Sequence, residues 1–133
     1  MCALLGACAP AAAPPPASAA PCAGISDADV ASTLQTLRAN VESVRAKNVT
    51  DFESKGMPAQ KLLGALVEVR ATPGMSGPWL TRVLQCDASR TLVTEGAKVD
   101  AREEGASFTI AIESRDPVVA RKILSQAEQL ASR

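Results

Sequence analysis

The chain carries no charged side chain before Asp27, and that step limits what can fold. Residues 1–26 are dominated by Ala, Pro and small residues and include the run Pro14-Pro15-Pro16. An Ala/Pro tract has little to bury and favours extended conformations. A globular core must come from the charged remainder of the chain, and a total of 133 residues allows one modest domain. The sequence predicts four stretches: an apolar signal-like segment at 1–8, a disordered Ala/Pro spacer at 9–25, an N-terminal helix and connector at 26–60, and a small α+β domain at 61–133.

Residues 2–8 are apolar and small, and Leu5-Gly6-Ala7-Cys8 resembles the lipobox of bacterial lipoproteins. In that family small residues before the Cys fit the processing peptidase, and the Cys sulfur carries a diacylglyceryl group. The resemblance spans four residues and implies lipidation at Cys8, a signal peptide and a membrane-tethered exported protein. Seven residues precede Cys8 and none is Lys or Arg. A signal peptide has a basic n-region and roughly 7–15 apolar residues, so the true start is expected upstream. Two other readings stand beside this one: cleavage near Ala17-Ser18-Ala19 to a soluble exported protein, or an ordinary apolar tail. Ala9-Pro10 after the Cys resembles outer-membrane sorting. Arg outnumbers Lys nine to five, which with the Ala/Pro bias suggests a GC-rich Gram-negative source. The expected location is the periplasmic side of a bacterial membrane, the outer membrane favoured. No Pro-free apolar stretch after Cys8 approaches the roughly 18 residues of a transmembrane helix.

Lys+Arg and Asp+Glu both number 14, and no basic face or tail stands out, so no nucleic-acid partner is expected. His and Tyr are absent, and the aromatics are Phe52, Trp79 and Phe108. Without His the usual near-neutral acid/base group is missing, and Ser-His-Asp, Cys-His and imidazole-zinc sites are excluded for this chain alone. Glu95 and Glu103-Glu104 offer carboxylates, but the pair falls in a hairpin turn, where charges are usually solvated. The chain reads as no enzyme, with no cofactor and no metal.

The cysteines are Cys2, Cys8, Cys22 and Cys86. With Cys2 removed and Cys8 lipidated, an even pair remains, which in an oxidising compartment suggests a Cys22–Cys86 disulfide. A Cys86 thiol packed as a small hydrophobe is the alternative. A metal role is weaker still, since two thiolates without His make a thin site, and there is no CxxC for redox chemistry.

The first helix is expected to begin at Ser26, with Asp29 three residues on in a capping-box arrangement. Val30, Leu34, Leu37, Val41 and Val44 come next at spacings of 4, 3, 4 and 3, which carries the helix to about Lys47. This stripe either packs on the domain's own sheet or helices, or docks a partner. It is shorter than the roughly 3–4 heptads of a coiled coil. Residues 50–55 allow a helical turn carrying Phe52, broken by Gly56 and Pro58. Residues 64–71 read as a strand, with Val67 and Val69 on one face and Glu68 and Arg70 on the other. Ser76 caps a second helix that buries Trp79, Leu80, Val83 and Leu84. Asp87 falls inside that face and is expected to reach solvent or pair with Arg90, a ligand role being the sharper alternative. Residues 98–103 and 107–113 form a hairpin around Glu104-Gly105, burying Phe108, Ile110 and Ile112 with Val99 and Ala101. Asp116-Pro117 starts a last helix, since Asp caps and Pro fits the first position. That helix buries Val119, Ile123, Ala127 and Leu130, with Ala120 and Leu124 beside them.

The predicted fold class is α+β: an N-terminal helix, then β-α-β-β-α, with a three-stranded sheet and helices on one face. A right-handed crossover places the first of these strands beside the third. The layout resembles a ferredoxin-like or KH-like half-fold without its final strand, and such folds host many functions.

At Pro73-Gly74-Met75-Ser76, Trp79-Leu80, Arg82 and Cys86 the chain resembles a group of uncharacterised bacterial exported proteins. The later Phe108, Ser114-Arg115-Asp116-Pro117, Ala120-Arg121 and Ile123-Leu124 fit the same group, over about residues 64–133. Relatives there often carry His after the Cys, where this chain has Asp87, and the likeness implies no function. The expected function is a non-enzymatic, lipid-anchored periplasmic module that binds or scaffolds a protein, with Val30, Leu34, Leu37, Val41 and Val44 as the partner-binding stripe. The alternative is a metal- or redox-responsive periplasmic protein using Cys86 with Cys22 or Asp87.

Overall fold

The computed structural model describes residues 22–52, 56–87 and 92–132. Cys8 lies outside them, and with it the expectation of lipidation. The elements run α1 (Asp27–Asn40), β1 (Val41–Asp51), β2 (Ala59–Arg70), α2 (Gly77–Gln85), β3 (Lys98–Glu104), β4 (Ser107–Glu113) and α3 (Pro117–Ala131). The strands form one sheet in the order β1-β2-β4-β3, every neighbouring pair antiparallel.

Local chemistry sets the helix starts. The Ser26 hydroxyl accepts the Asp29 N–H at 3.1 Å, and the Asp29 carboxylate accepts the Ser26 N–H at 2.9 Å, a reciprocal capping box. The Ser26 hydroxyl also donates to the Asp29 carboxylate at 2.7 Å, and the two bonds to the charged form, from the Ser26 N–H first and then from its hydroxyl, hold the Asp29 carboxyl below its ordinary value. Ser76 accepts from the Trp79 N–H at the start of α2. Asp116 accepts from the N–H groups of Val118 and Val119, with Pro117 in the first position of α3.

The fold is α+β as expected, but it has four strands rather than three. The helix expected to reach Lys47 ends at Asn40, and the chain turns at once into β1. Val41 pairs with Val69 and Ser43 with Glu68, so Glu42 is the extra residue of a bulge. The bulge puts Val41 and Val44, three apart, on one face of a strand. The strand expected from residue 64 starts earlier, at Ala59. The first predicted strand does lie beside the third, β2 against β4, and β1 takes the place outside β2.

All three helices contribute to one core. Val67, Val69, Phe108, Ile110, Ile112, Val99 and Ala101 face it from the sheet. Leu80, Val83 and Leu84 of α2, Ile123 and Ala127 of α3, and Leu34 and Leu37 of α1 close it. Burial of this apolar area is the main stabilising term.

The two sheet edges differ. At β3 the Ala101 N–H donates to the Thr81 hydroxyl at 3.0 Å, and Gly77 lies so close that a Cβ would stand 2.6 Å from the Ala101 carbonyl oxygen. Helix α2 therefore covers the β3 edge at Ala101, a usual way to blunt an exposed strand. No described strand pairs with the outer edge of β1.

Candidate functional site: the uncovered sheet face and the hairpin arm

The helices leave one face of the sheet uncovered, and the registers lay its side chains out in rows across the four strands. From one end the rows are Lys47, Gly64, Glu113, Lys98; Arg45, Leu66, Ala111, Asp100; Ser43, Glu68, Thr109, Arg102; and Arg70, Ser107, Glu104, which the bulge residue Glu42 joins through its bonds to Arg70 and Ser107. Opposite charges meet within and between rows. Arg45 pairs with Glu68 at 3.3 Å, Arg70 with Glu42 at 3.3 Å, and Arg102 with Asp100 at 2.7 Å. Lys47 is ion-paired with Glu113. Ser107 and Thr109 donate to Glu42 and Glu104 at 3.1 and 2.9 Å. Cross-strand neighbours of this kind stabilise a sheet by fractions of a kcal/mol each, about 0.2–1. Around Leu66 and Ala111 the side chains are short, and a shallow depression of about 370 Å³ opens there between Arg45, Lys47, Lys98 and Arg102. The carboxylates Asp100, Glu104 and Glu113 alternate with these four cations around the small apolar centre.

Beyond these rows the β1–β2 hairpin overruns the sheet. Strand β4 stops opposite Gly64, so Asn48–Asp51 and Ala59–Leu62 pair only with each other. The overrun is about 13 Å at ~3.3 Å per residue. Phe52 and Met57 flank its turn and are 73% and 74% exposed, and Val49 on the arm is 43% exposed.

Cys22 and Cys86 are joined by a disulfide, with Cα atoms 5.4 Å apart. The Arg82 guanidinium also donates to the Ala23 carbonyl at 3.0 Å. The end of the Ala/Pro tract is thus pinned to the C-terminus of α2.

The expected partner-binding stripe is divided by the turn at Asn40. Val30, Leu34 and Leu37 are buried in the core, and Val41 and Val44 are half-buried on β1 against it. Its α1 part therefore faces inward, because α1 spends its apolar side on α2 and β2. Asp87 is buried rather than solvent-reaching, at the end of α2; Arg90 lies outside the described residues. Glu103, expected as a solvated turn carboxylate, accepts the Gly77 N–H at 3.2 Å and so caps α2 from the sheet. Among the described residues no group of three or more His, Cys, Asp or Glu is placed to hold a metal ion, and no helix is long and apolar enough to cross a membrane. The overrunning hairpin was missed at the sequence level. The β-branched residues Val41, Val44, Val49 and Thr50, spaced over ten positions, are the signal for it.

No protein-family model, curated protein or solved structure matches this chain.

Proposed function

We propose that this chain is a lipid-anchored, exported, non-enzymatic binding module whose docking surface for a protein partner is the uncovered sheet face. The observation that carries this reading is the one-sided covering of the sheet: four strands present an ordered array of charged side chains to solvent around Leu66 and Ala111. A rigid, disulfide-pinned domain behind an Ala/Pro spacer is a physically sensible way to tether such a platform to a membrane. The sheet with helices on one face supports a ferredoxin-like arrangement in which β1 stands where a final strand would lie. The location favoured is the periplasmic side of the outer membrane. Both Cys22 and Cys86 are committed to the disulfide, so a metal or redox role would require its prior reduction.

The test is site-specific photo-crosslinking in the native cell. A benzophenone side chain at Ala111 or Thr109 should give a discrete protein adduct, and the same probe at Lys122 on α3 should give none. Equal labelling at both places, or none at Ala111, would remove the sheet face as the docking surface. Mass spectrometry of the native chain tests the anchor, which an unmodified Cys8 would exclude.

A further inference from the structure

We propose that the end of the domain bearing the β1–β2 arm is a membrane-contacting foot, with Phe52 and Met57 inserting into the bilayer surface; this rests on the anchored reading above.

The chain path places four features at one end. Strand β2 first comes opposite β4 at Gly64, beside Glu113 and Lys98, and the arm that precedes it projects beyond them. Helix α2 starts beside Glu103 and Ala101, runs toward the Lys98 end of β3, and finishes there at Cys86. Cys22 is bonded to Cys86, so the chain enters the domain at this same end. Strand β4 also finishes here, at Glu113, and α3 begins four residues later at Pro117. Val118 on its first turn is therefore at the arm end too.

The large apolar side chains exposed among the described residues are Val49, Phe52, Met57 and Val118. All four belong to the end where the tethered N-terminus enters. Exposed apolar residues gathered on one side mark an interaction surface. Their distribution decides its kind. They lie along one end of the domain, from the β1–β2 arm to the start of α3, rather than around one pocket. A broad, deformable apolar surface meets residues laid out along an end in this way, whereas a protein groove needs a compact anchor.

The length of chain ahead of Cys22 is compatible with this. Thirteen residues separate Cys8 from Cys22, so the anchor lies within about 50 Å of the domain even if that stretch were fully extended. Lipid attachment is firmer with a second contact. Cations here are largely offset by carboxylates: Lys47, Lys98 and Arg115 stand with Glu113 and Asp116, and Lys61 shares the arm with Asp51. The attachment is therefore apolar in character and weakly dependent on salt.

The test is flotation of the full chain carrying Cys8→Ser with vesicles of phosphatidylethanolamine and phosphatidylglycerol. The protein should float with the vesicles, and Phe52→Ser with Met57→Ser should lower its partition about tenfold or more, since two apolar side chains are lost. Val118→Ser should give a smaller loss. Raising salt from about 0.05 to 0.5 M should change binding less than about twofold. All three positions are exposed, and an intact Cys22–Cys86 bond with an unchanged circular dichroism spectrum verifies the fold. Failure of the Cys8→Ser chain to float, or equal flotation of the double variant, overturns the foot. So does loss of a protein crosslink in the double variant without any vesicle binding, which would make the arm a protein contact. An unmodified Cys8 in the native chain overturns the anchor alone and leaves the flotation result to judge the foot.

Discussion

Lys47 reaches Glu113 across the full width of β2, because the residue that stands between them is Gly64. The same glycine is forced by the backbone. A Cβ there would fall 2.0 Å from the Ile112 carbonyl oxygen, and its φ of +153° is one that side-chain-bearing residues rarely adopt. Gly64→Ala is expected to cost on the order of 3 kcal/mol, since β2 and β4 must part locally. Urea denaturation measures this, and a loss below about 1 kcal/mol would contradict the close approach.

The ion pair itself is worth less. Both side chains keep about a third of their surface in water, so Glu113→Gln should cost no more than about 1 kcal/mol and should matter less in high salt. A double-mutant cycle with Lys47→Met isolates the coupling.

Leu37 is fully buried on the inner face of α1, so Leu37→Ala should destabilise by about 2–5 kcal/mol. Leu34→Ala with Leu37→Ala should unfold the domain or leave it marginal. A well-folded double variant would mean that the α1 stripe is free to dock a partner. Thermal melting followed by circular dichroism decides.

Reduction of Cys22–Cys86 removes a cross-link spanning 64 positions in sequence. The expected loss is about 2–4 kcal/mol, with the unfolded chain gaining most of the freedom. Comparing melting curves with and without a reductant reads it directly, and coincident curves would mean the bond contributes nothing to folding.

Asp29 gives a pH signature. Its carboxyl is held below the ordinary value of 3.8 by the Ser26 N–H and then by the Ser26 hydroxyl. A folded-state value below the unfolded one means that its contribution is complete above pH 3.8 and fades as pH falls through the folded value. Asp29→Ala should lower the melting temperature at neutral pH, and the gap to the parent should narrow below pH 3.8. A gap of constant size into stronger acid would assign the effect to helix propensity instead.

Where the sequence could be read, each sign had one physical meaning. Ser26 with Asp29, Ser76 with Pro78, and Asp116 with Pro117 are helix starts that no other element uses, and all three stand in the structure. The alternation Phe108, Ile110, Ile112 likewise admits only a half-buried strand. The error arose where two periods coincide. Val41 and Val44 continue the spacing of Leu34 and Leu37, and the bulge at Glu42 gives a strand the three-residue repeat of a helix. Reading past Asn40 as helix then hid β1, and without β1 the start of β2 had no partner to reveal it. The uncovered face was partly visible as Glu68 and Arg70 opposite Val67 and Val69. Its row order was not, because register across four strands depends on β1 and on a glycine whose role is set by the neighbouring backbone.

Helix α2 leaves this sheet with a single growing end. Two copies meeting along β1 would present only their α2-covered sides outward, so accretion by strand addition terminates at a pair. The molecule can exploit or tolerate an open strand without the hazard of a fibre.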